Sequence, residues 1–307
     1  MAIELARKQM SPKPWGVTDP MPWCEPETDG APIGEIRFDH SGAPSTPALL
    51  QLKVLMTNEP LSIQVHPDDA YAHAVGLPNG KTEAWYILSA APGSQVAVGL
   101  KSHVTAQQLR KAAGDGTIAE LVAWQSVAAD EILFVPAGTI HAIGAGVVIA
   151  EIQQRSDATY RLFDYGRQRE LHVDSAVAVA NTGPAVTRQH RCRLSEERTL
   201  LVANAHFVFE RIELPPRSSW TFAAPRETWL LVIAGSAITG SFDVAAGDAI
   251  FAQHDRMDVH VSPAGMTALV AYGGGSTIPD LLHRHEMPPS RSWVKASTAN
   301  DNLGLAP

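Results

Sequence analysis

Three short segments of this 307-residue chain carry side chains that could bind a metal ion. They are Gln-Val-His-Pro at residues 64–67, Thr-Glu-Ala-Trp at residues 82–85 and Thr-Ile-His-Ala at residues 139–142. Two imidazoles, a carboxylate and an amide oxygen suit a borderline divalent ion such as zinc, and they leave one coordination position for substrate or water. The pattern therefore favours a catalytic metal site over a structural one.

The strands that must hold these donors can be inferred from the neighbouring residues. Residues two apart in a strand share a face, so Gln64 and His66 can point into one interior. Glu83 begins an apolar strand, where a buried carboxylate needs a cation or a donor, and His141 follows a Pro-Ala-Gly turn. Taken singly, each residue has a structural alternative: a histidine could be bonded to backbone in the core, and Glu83 could be an exposed residue at the start of a strand. If the segments are adjacent strands, their inward side chains converge and a joint metal site is favoured.

Basic residues near these segments could contact an anionic substrate. Lys53 lies inside an apolar strand, which suggests a phosphate or carboxylate contact, with an outward-facing edge position as the alternative. Residues 155–167 contain three arginines and two aspartates. An arginine beside a metal could stabilise developing negative charge, although a surface loop of Asp–Arg pairs would have the same composition.

Composition limits the classes of partner. The chain is 45% hydrophobic and 18% charged, with a formal net charge of −8. Nucleic-acid binding needs a basic face and is therefore disfavoured, whereas a few local cations could still bind one phosphate group. Two cysteines without CxxC spacing argue against a disulfide framework, and no run of 18 apolar residues occurs. We expect a cytoplasmic monomer or homodimer that binds a small molecule, with no nucleic-acid or membrane partner.

The hydrophobic pattern predicts an all-β fold. Glycine and proline interrupt the chain every 8–15 residues, between short runs rich in valine, isoleucine, leucine and aromatic residues. The predicted strands span residues 48–56, 61–65, 83–88, 95–98, 131–135, 147–153, 207–214, 228–233, 249–252 and 267–272. Residues 105–125 break this pattern and predict two helices, 106–113 and 118–124, each preceded by a threonine N-cap.

The two halves of the chain resemble each other. Residues 83–88 resemble 227–232, and 130–134 resemble 248–251; the separations are 47 (130 − 83) and 21 (248 − 227) residues. The difference of 26 is close to the length of the helical stretch, which predicts one β architecture used twice with a helical insertion at about 103–127. A chance similarity is the alternative. The paired short strands and the Pro-x-Gly-x-x-His turn resemble the cupin jelly roll.

We therefore predict two cupin-like jelly-roll domains. Residues 1–185 form the metal-binding catalytic domain, and residues 186–307 form a second domain without a metal site, plus a tail from Ser276 onward. The polar region 181–198 holds the boundary.

Five ordered motifs resemble type I mannose-6-phosphate isomerases, in particular the short bacterial form. They lie at residues 47–53, 61–69, 80–88, 135–143 and 156–164, and the likeness extends over roughly residues 13–172. The resemblance implies one zinc ion per chain and a set of site residues. The implied zinc ligands are Gln64, His66, Glu83 and His141; the implied catalytic residues are Arg161 and Lys81; the implied substrate contacts are Lys53, Ser62 and Asp157.

The reaction that the resemblance implies is interconversion of mannose 6-phosphate and fructose 6-phosphate through an enediol. A catalytic Lys81 acting as a base would need a lowered pKa; a metal-bound hydroxide, or His66 acting during ring opening, is the alternative. Other hypotheses are a non-catalytic sugar-binding cupin, an isomerase of an unphosphorylated aldose, and an iron-dependent cupin oxygenase. A donor set with one carboxylate favours zinc over iron without excluding it.

Overall fold

The computed structural model describes residues 2–26, 30–41, 48–186, 189–240 and 242–285. Within these residues the chain forms 21 strands and four helices. Up to residue 186 the elements are β1 (Ala2–Leu5), β2 (Arg7–Val17), β3 (Ile33–Asp39), β4 (Leu50–Met56), β5 (Ile63–Val65), α1 (Asp69–Ala74), β6 (Glu83–Ala90), β7 (Gln95–Leu100), α2 (Ala106–Asp115), α3 (Ile118–Leu121), β8 (Val122–Ser126), β9 (Ile132–Val135), β10 (His141–Ile143), β11 (Val147–Gln154), β12 (Tyr160–Phe163) and α4 (Val173–Val179). The later strands are β13 (Cys192–Arg193), β14 (Arg198–Ala203), β15 (Phe207–Leu214), β16 (Ser219–Ala224), β17 (Thr228–Thr239), β18 (Phe242–Ala245), β19 (Ala249–Gln253), β20 (Asp255–Gly273) and β21 (Leu282–Arg284).

The strands form three antiparallel sheets. A six-stranded sheet has the order β2-β3-β4-β11-β6-β9, and a five-stranded sheet has the order β12-β5-β10-β7-β8. The third sheet has ten strands, along the path β1-β19-β17-β20-β15-β14-β13 with β16, β18 and β21 paired beside it. All ten predicted strands are present, and the predicted all-β class is confirmed, with antiparallel pairing in all three sheets.

The helical insertion is present, but its second half differs from the prediction. Thr105 caps α2 through a capping box with Gln108, as its sequence position indicates. The second helix ends at Leu121, and the predicted continuation to Trp124 is wrong because Val122–Ser126 is a strand paired with β7. Periodicity alone cannot distinguish a short apolar run in a helix from one in a strand. Here residues 122–126 pair with β7 and form the last strand of the five-stranded sheet.

Apolar packing joins the two halves of the chain. One core cluster contains Phe38 and Tyr86 from the first half together with Trp229 and Phe251 from the second. In addition, β1 pairs with β19, so the start of the chain completes the ten-stranded sheet. The division at residues 185 and 186 stays a prediction.

The end of the chain is partly described. Of the tail predicted from Ser276 onward, β21 pairs with β16 and Leu281 is buried; residues 286–307 lie outside the described residues. Among the helices that the structure describes, none is long and apolar enough to span a membrane.

Candidate active site

The predicted metal ligands come from two sheets. Gln64 lies in β5 and pairs with His141 at the start of β10, so both belong to the five-stranded sheet. His66 follows β5 directly, whereas Glu83 is the first residue of β6 in the six-stranded sheet. The site therefore lies where these two sheets approach each other.

His66, Glu83 and His141 form a compact donor cluster. Among the described residues they are the one group of at least three His, Cys, Asp or Glu side chains whose donor atoms all lie within 4.8 Å of one another. The Glu83 carboxylate is 3.5 Å from Nε2 of His66 through one oxygen and 3.5 Å from Nε2 of His141 through the other. All three side chains are 1% exposed, so the cluster is a buried site and not a chance surface grouping.

Backbone carbonyls fix the tautomers of both histidines. Nδ1 of His66 donates to the carbonyl of Ala158 at 2.7 Å, and Nδ1 of His141 donates to the carbonyl of Thr139 at 2.8 Å. Because a carbonyl oxygen only accepts, each Nδ1 carries the proton and each Nε2 presents a lone pair to the cluster. This orientation is the one a metal-binding histidine needs, so the donor set fits a divalent ion.

Burial also keeps these imidazoles neutral. Desolvation lowers the pKa of His141 to about 4. It also lowers the pKa of His66 well below its ordinary value, with the positive charge of Lys81 acting in the same direction. Both ring nitrogens facing the cluster are thus available as ligands at neutral pH.

Gln64 lies beside this cluster with its amide turned toward His141. Its Nε2 is 3.3 Å from Nε2 of His141, and its Oε1 accepts a hydrogen bond from Ser62 at 2.9 Å. A 180° rotation of the amide exchanges these two atoms. The predicted role of Gln64 as an oxygen ligand requires that rotation and stays a prediction.

Lys81 does not have the lowered pKa that a base would need. Its Nζ lies 2.6 Å from the Glu83 carboxylate and 3.0 Å from Nε2 of His66. Burial alone would lower the pKa of Lys81, but the carboxylates of Glu83 and Glu151 outweigh it and raise that pKa. The two buried carboxylates are therefore the reason that the lowered pKa a base would need is not found.

Glu151 and Trp85 belong to the site and were missed as site residues. The indole N–H of Trp85 lies 3.1 Å from a Glu83 oxygen and 3.1 Å from a Glu151 oxygen, and it links the two carboxylates. Burial and the charge of Glu83 raise the pKa of Glu151. A carboxylate in the middle of the apolar strand at 147–153 was the available signal, of the same kind that singled out Lys53.

The three predicted substrate contacts differ in how deeply they are buried. Lys53 is 8% exposed and its Nζ lies 3.9 Å from Glu151 and 3.8 Å from Glu35. It thus faces carboxylates inside the protein, and the outward-facing alternative is wrong. Ser62 is buried next to Gln64, whereas Asp157 is exposed.

The arginine-rich segment separates into structural and available side chains. Asp164 is buried and pairs with Arg167 and Arg169, with nitrogen–oxygen distances of 3.0 and 2.6 Å. Arg161 instead pairs across the sheet with Gln64, which in turn pairs with His141. Directly paired residues lie on the same face of an antiparallel sheet, so Arg161 shares a face with two predicted ligands. Its buried Nε finds no hydrogen-bond partner among the described residues.

Comparisons with known proteins give a consistent family. No protein-family model matches the chain. It is 34% identical to the mannose-6-phosphate isomerase of Streptococcus mutans over 230 residues, which is 71% of each chain.

Solved structures show the same fold. The crystal structure of the mannose 6-phosphate isomerase from Bacillus subtilis superposes with a TM-score of 0.76 and 23% identity, covering 89% of this chain and all of that one. A zinc-bound mannose 6-phosphate isomerase superposes with a TM-score of 0.69 and 14% identity, covering 89% of this chain and all of that one. With its predicted motifs, its all-β fold and this relative, the chain belongs to the mannose-6-phosphate isomerase family.

Proposed function

We propose that this protein is a zinc-dependent isomerase that interconverts mannose 6-phosphate and fructose 6-phosphate. The observation that carries the proposal is the convergence of His66, Glu83 and His141 on one buried point beside Lys81. A buried cluster used only for folding would not need a lysine and an arginine facing the same space. Membership of the isomerase family gives the substrate class.

We assign the metal to His66, Glu83 and His141, with Gln64 as a fourth ligand after rotation of its amide. When bound there, zinc supplies a Lewis acid beside the oxygens of the sugar. Asp157, Ser62 and Lys53 are proposed to line the substrate pocket. Both imidazoles are neutral with an unprotonated Nε2 facing the cluster, which supports this ligand assignment.

The isomerisation moves one proton from C2 to C1 and a second from the C2 hydroxyl to the C1 oxygen. A base removes the C2 proton of the open-chain aldose, an enediol forms, and a proton is delivered to C1 to give the ketose. Negative charge develops on the oxygens at C1 and C2, where Arg161 donates hydrogen bonds without losing its own proton. Lys81 is held protonated by Glu83 and Glu151, reaches the same space through Nζ and is proposed to deliver a proton to the sugar; the C2 proton is then removed by a base other than Lys81.

A non-catalytic sugar-binding protein is the alternative that this site argues against. Such a protein would bind hydroxyl groups through polar side chains alone, whereas here a buried lysine, two buried carboxylates and an arginine lie with a three-residue donor cluster in a chain that belongs to an isomerase family. These groups are suited to proton transfer and charge stabilisation.

The test is an assay of fructose 6-phosphate formation from mannose 6-phosphate on chelator-treated protein, with and without added zinc. We expect turnover that disappears on chelation and returns with zinc. Unphosphorylated mannose is the control substrate. A comparable rate on mannose would contradict the proposed preference for the phosphorylated sugar. No turnover by folded, zinc-loaded protein would overturn the proposed function.

The working compartment and assembly are part of the same proposal. The low cysteine content supports a reducing cytoplasm. We propose a monomer or homodimer there, which sedimentation equilibrium on the zinc-loaded protein distinguishes.

A further inference from the structure

The segment that carries Lys81 and Glu83 is held by two polar side chains outside the metal cluster. Asp69, at the start of α1, accepts a hydrogen bond from the backbone N–H of Gly80 at 2.7 Å. The same Asp69 oxygen accepts a second bond from the side-chain amide of Gln154 at 2.8 Å. One oxygen thus joins the residues that follow His66 to the residues that precede Glu83.

Gln154 extends this connection by one more residue. Its side-chain oxygen accepts the backbone N–H of Thr82 at 2.9 Å, and its own backbone N–H donates to the carbonyl of Thr82 at 3.0 Å. Gln154 is 6% exposed. Because it ends β11, the strand that also carries Glu151, it ties the Lys81 segment to a third part of the site.

Further contacts leave this segment almost no room to move. The backbone N–H of Lys81 donates to the carbonyl of Pro67 at 3.0 Å. A Cβ atom at Gly80 would lie 2.5 Å from the backbone carbon of Asp68 and 2.6 Å from the nitrogen of Asp69. Gly80 therefore has to be glycine for the two segments to approach this closely.

The Asp69 carboxylate is suited to this position. Burial would raise the pKa of Asp69, but the hydrogen bonds from Gly80 and Gln154 outweigh it and lower that pKa. His206, from the second half of the chain, lies 3.8 Å from the other Asp69 oxygen. The carboxylate therefore accepts two hydrogen bonds on one oxygen, with His206 near the other, and is ionised at neutral pH.

We propose that Asp69 and Gln154 are positioning residues that set the place of Lys81 and Glu83 for the isomerase reaction. The proposal rests on the proposed function, since it assigns Lys81 to proton transfer and Glu83 to the metal. Neither Asp69 nor Gln154 touches substrate. They act by fixing the backbone of residues 80–82, from which the side chains of Lys81 and Glu83 enter the site.

The test compares three aspartate variants of the full-length protein. Asp69→Ala removes both bonds, and Asp69→Asn keeps an oxygen in the same place while it removes the charge. Asp68→Ala is the matched control, because Asp68 is exposed and its side chain accepts the N–H of Tyr71 as the N-cap of α1. It thus loses a neighbouring carboxylate and a helix cap while residues 80–82 keep their bonds.

Two readouts are measured on each variant: kcat and KM for mannose 6-phosphate, and zinc affinity by competition with a chromophoric chelator. Loss of a group that orients a ligand typically costs 10- to 100-fold in metal affinity or activity. We expect Asp69→Ala to lose about 10- to 100-fold in kcat with a smaller change in KM, and to bind zinc more weakly by a similar factor. Asp69→Asn should remain within about threefold of the wild type and Asp68→Ala should match it, since neither change releases residues 80–82.

The outcomes separate the inference from the proposed function. If Asp69→Ala matched Asp68→Ala in both kcat and zinc affinity, the positioning role would be overturned. If Asp69→Ala failed to fold, Gln154→Leu provides the second variant, with the same expected losses and the same overturning result. If the wild type had no isomerase activity, the zinc affinities alone would still test the positioning of Glu83, while the proposed function would fall.

Discussion

Chelator-treated protein should lose stability steeply on mild acidification, because two buried imidazoles are held neutral. The folded-state pKa of His141 is about 4, against 6.5 for an exposed histidine. Below pH 6.5 the unfolded chain therefore binds a proton that the folded chain rejects, and stability falls as the pH falls. For His141 this amounts to about 2 kcal/mol between pH 7.5 and 5.0, from about 1.4 kcal/mol per pH unit below 6.5.

His66 adds a second contribution in the same direction. Its pKa is lowered well below 6.5 by burial and by the charge of Lys81, so the folded chain also rejects a proton here that the unfolded chain binds, and the loss of stability on acidification increases. Glu151 works against this loss, because its raised pKa lets the folded protein take up a proton first on acidification. The net loss between pH 7.5 and 5.0 is therefore the sum of the two histidine contributions, reduced by the proton uptake at Glu151.

Urea denaturation of the metal-free protein at pH 7.5, 6.0 and 5.0 measures this loss. The matched control is His141→Gln, which keeps a polar side chain of similar reach and removes one titrating group. Between pH 7.5 and 5.0 the variant should lose about 2 kcal/mol less than the wild type, since Glu151 and the surface carboxylates contribute to both. Equal losses in the two proteins would refute the neutral, buried state of His141.

Three substitutions give separate predictions. Arg161→Ala should lower kcat about 100-fold or more with zinc content unchanged. Arg161→Lys should restore little activity, because an ammonium cannot form the guanidinium's paired hydrogen bonds. Steady-state kinetics with metal analysis measures both, and wild-type turnover in the alanine variant would contradict the prediction. Lys81→Met should abolish turnover. It should also tighten zinc binding about tenfold or more, because the ammonium 2.6 Å from Glu83 repels a second cation. Weaker zinc binding by the variant in a chelator competition would count against this prediction. Arg198→Met should destabilise the protein by about 3–5 kcal/mol in urea, because it leaves the fully buried Glu210 carboxylate without its cation, and unchanged stability would mean that Glu210 is neutral there.

The sequence indicated which side chains could converge, because strand geometry places them on inward faces; their role as metal ligands stays a prediction. Gln64 and His66 share a face by their spacing, and Glu83 begins an apolar strand. The clustering of His66, Glu83 and His141 follows once their segments approach each other. What periodicity could not provide was the pairing of strands, and so it gave no indication that Glu83 reaches the cluster from a different sheet.

The errors arose from long-range contacts. The strand at Val122–Ser126 was predicted as helix because its partner in β7 is not apparent from local sequence. The direction of the Lys81 pKa was missed for the same reason, since Glu151 is 70 residues away along the chain and close in space. Propensity and spacing describe neighbours along the chain, whereas these outcomes depend on neighbours across a sheet.

The second half of the chain shows how the same position can have different partners in the two copies of a repeated architecture. Trp85 opposes Leu133 across β6 and β9, and Trp229 opposes Phe251 across β17 and β19, which is the register that the similarity of the halves predicts. Each tryptophan donates to the glutamate two residues before it, Glu83 at 3.1 Å and Glu227 at 3.0 Å.

The two glutamates differ in their remaining partners. The Glu227 carboxylate accepts the backbone N–H groups of Leu49 and Leu50 at 2.6 and 2.9 Å, so its oxygens anchor the start of β4. The Glu83 oxygens instead face Nε2 of His66 and His141. A carboxylate bonded by backbone donors on both oxygens has little capacity left for a cation. The same position in the repeat thus anchors a neighbouring strand in one copy and joins the cluster of His66 and His141 in the other.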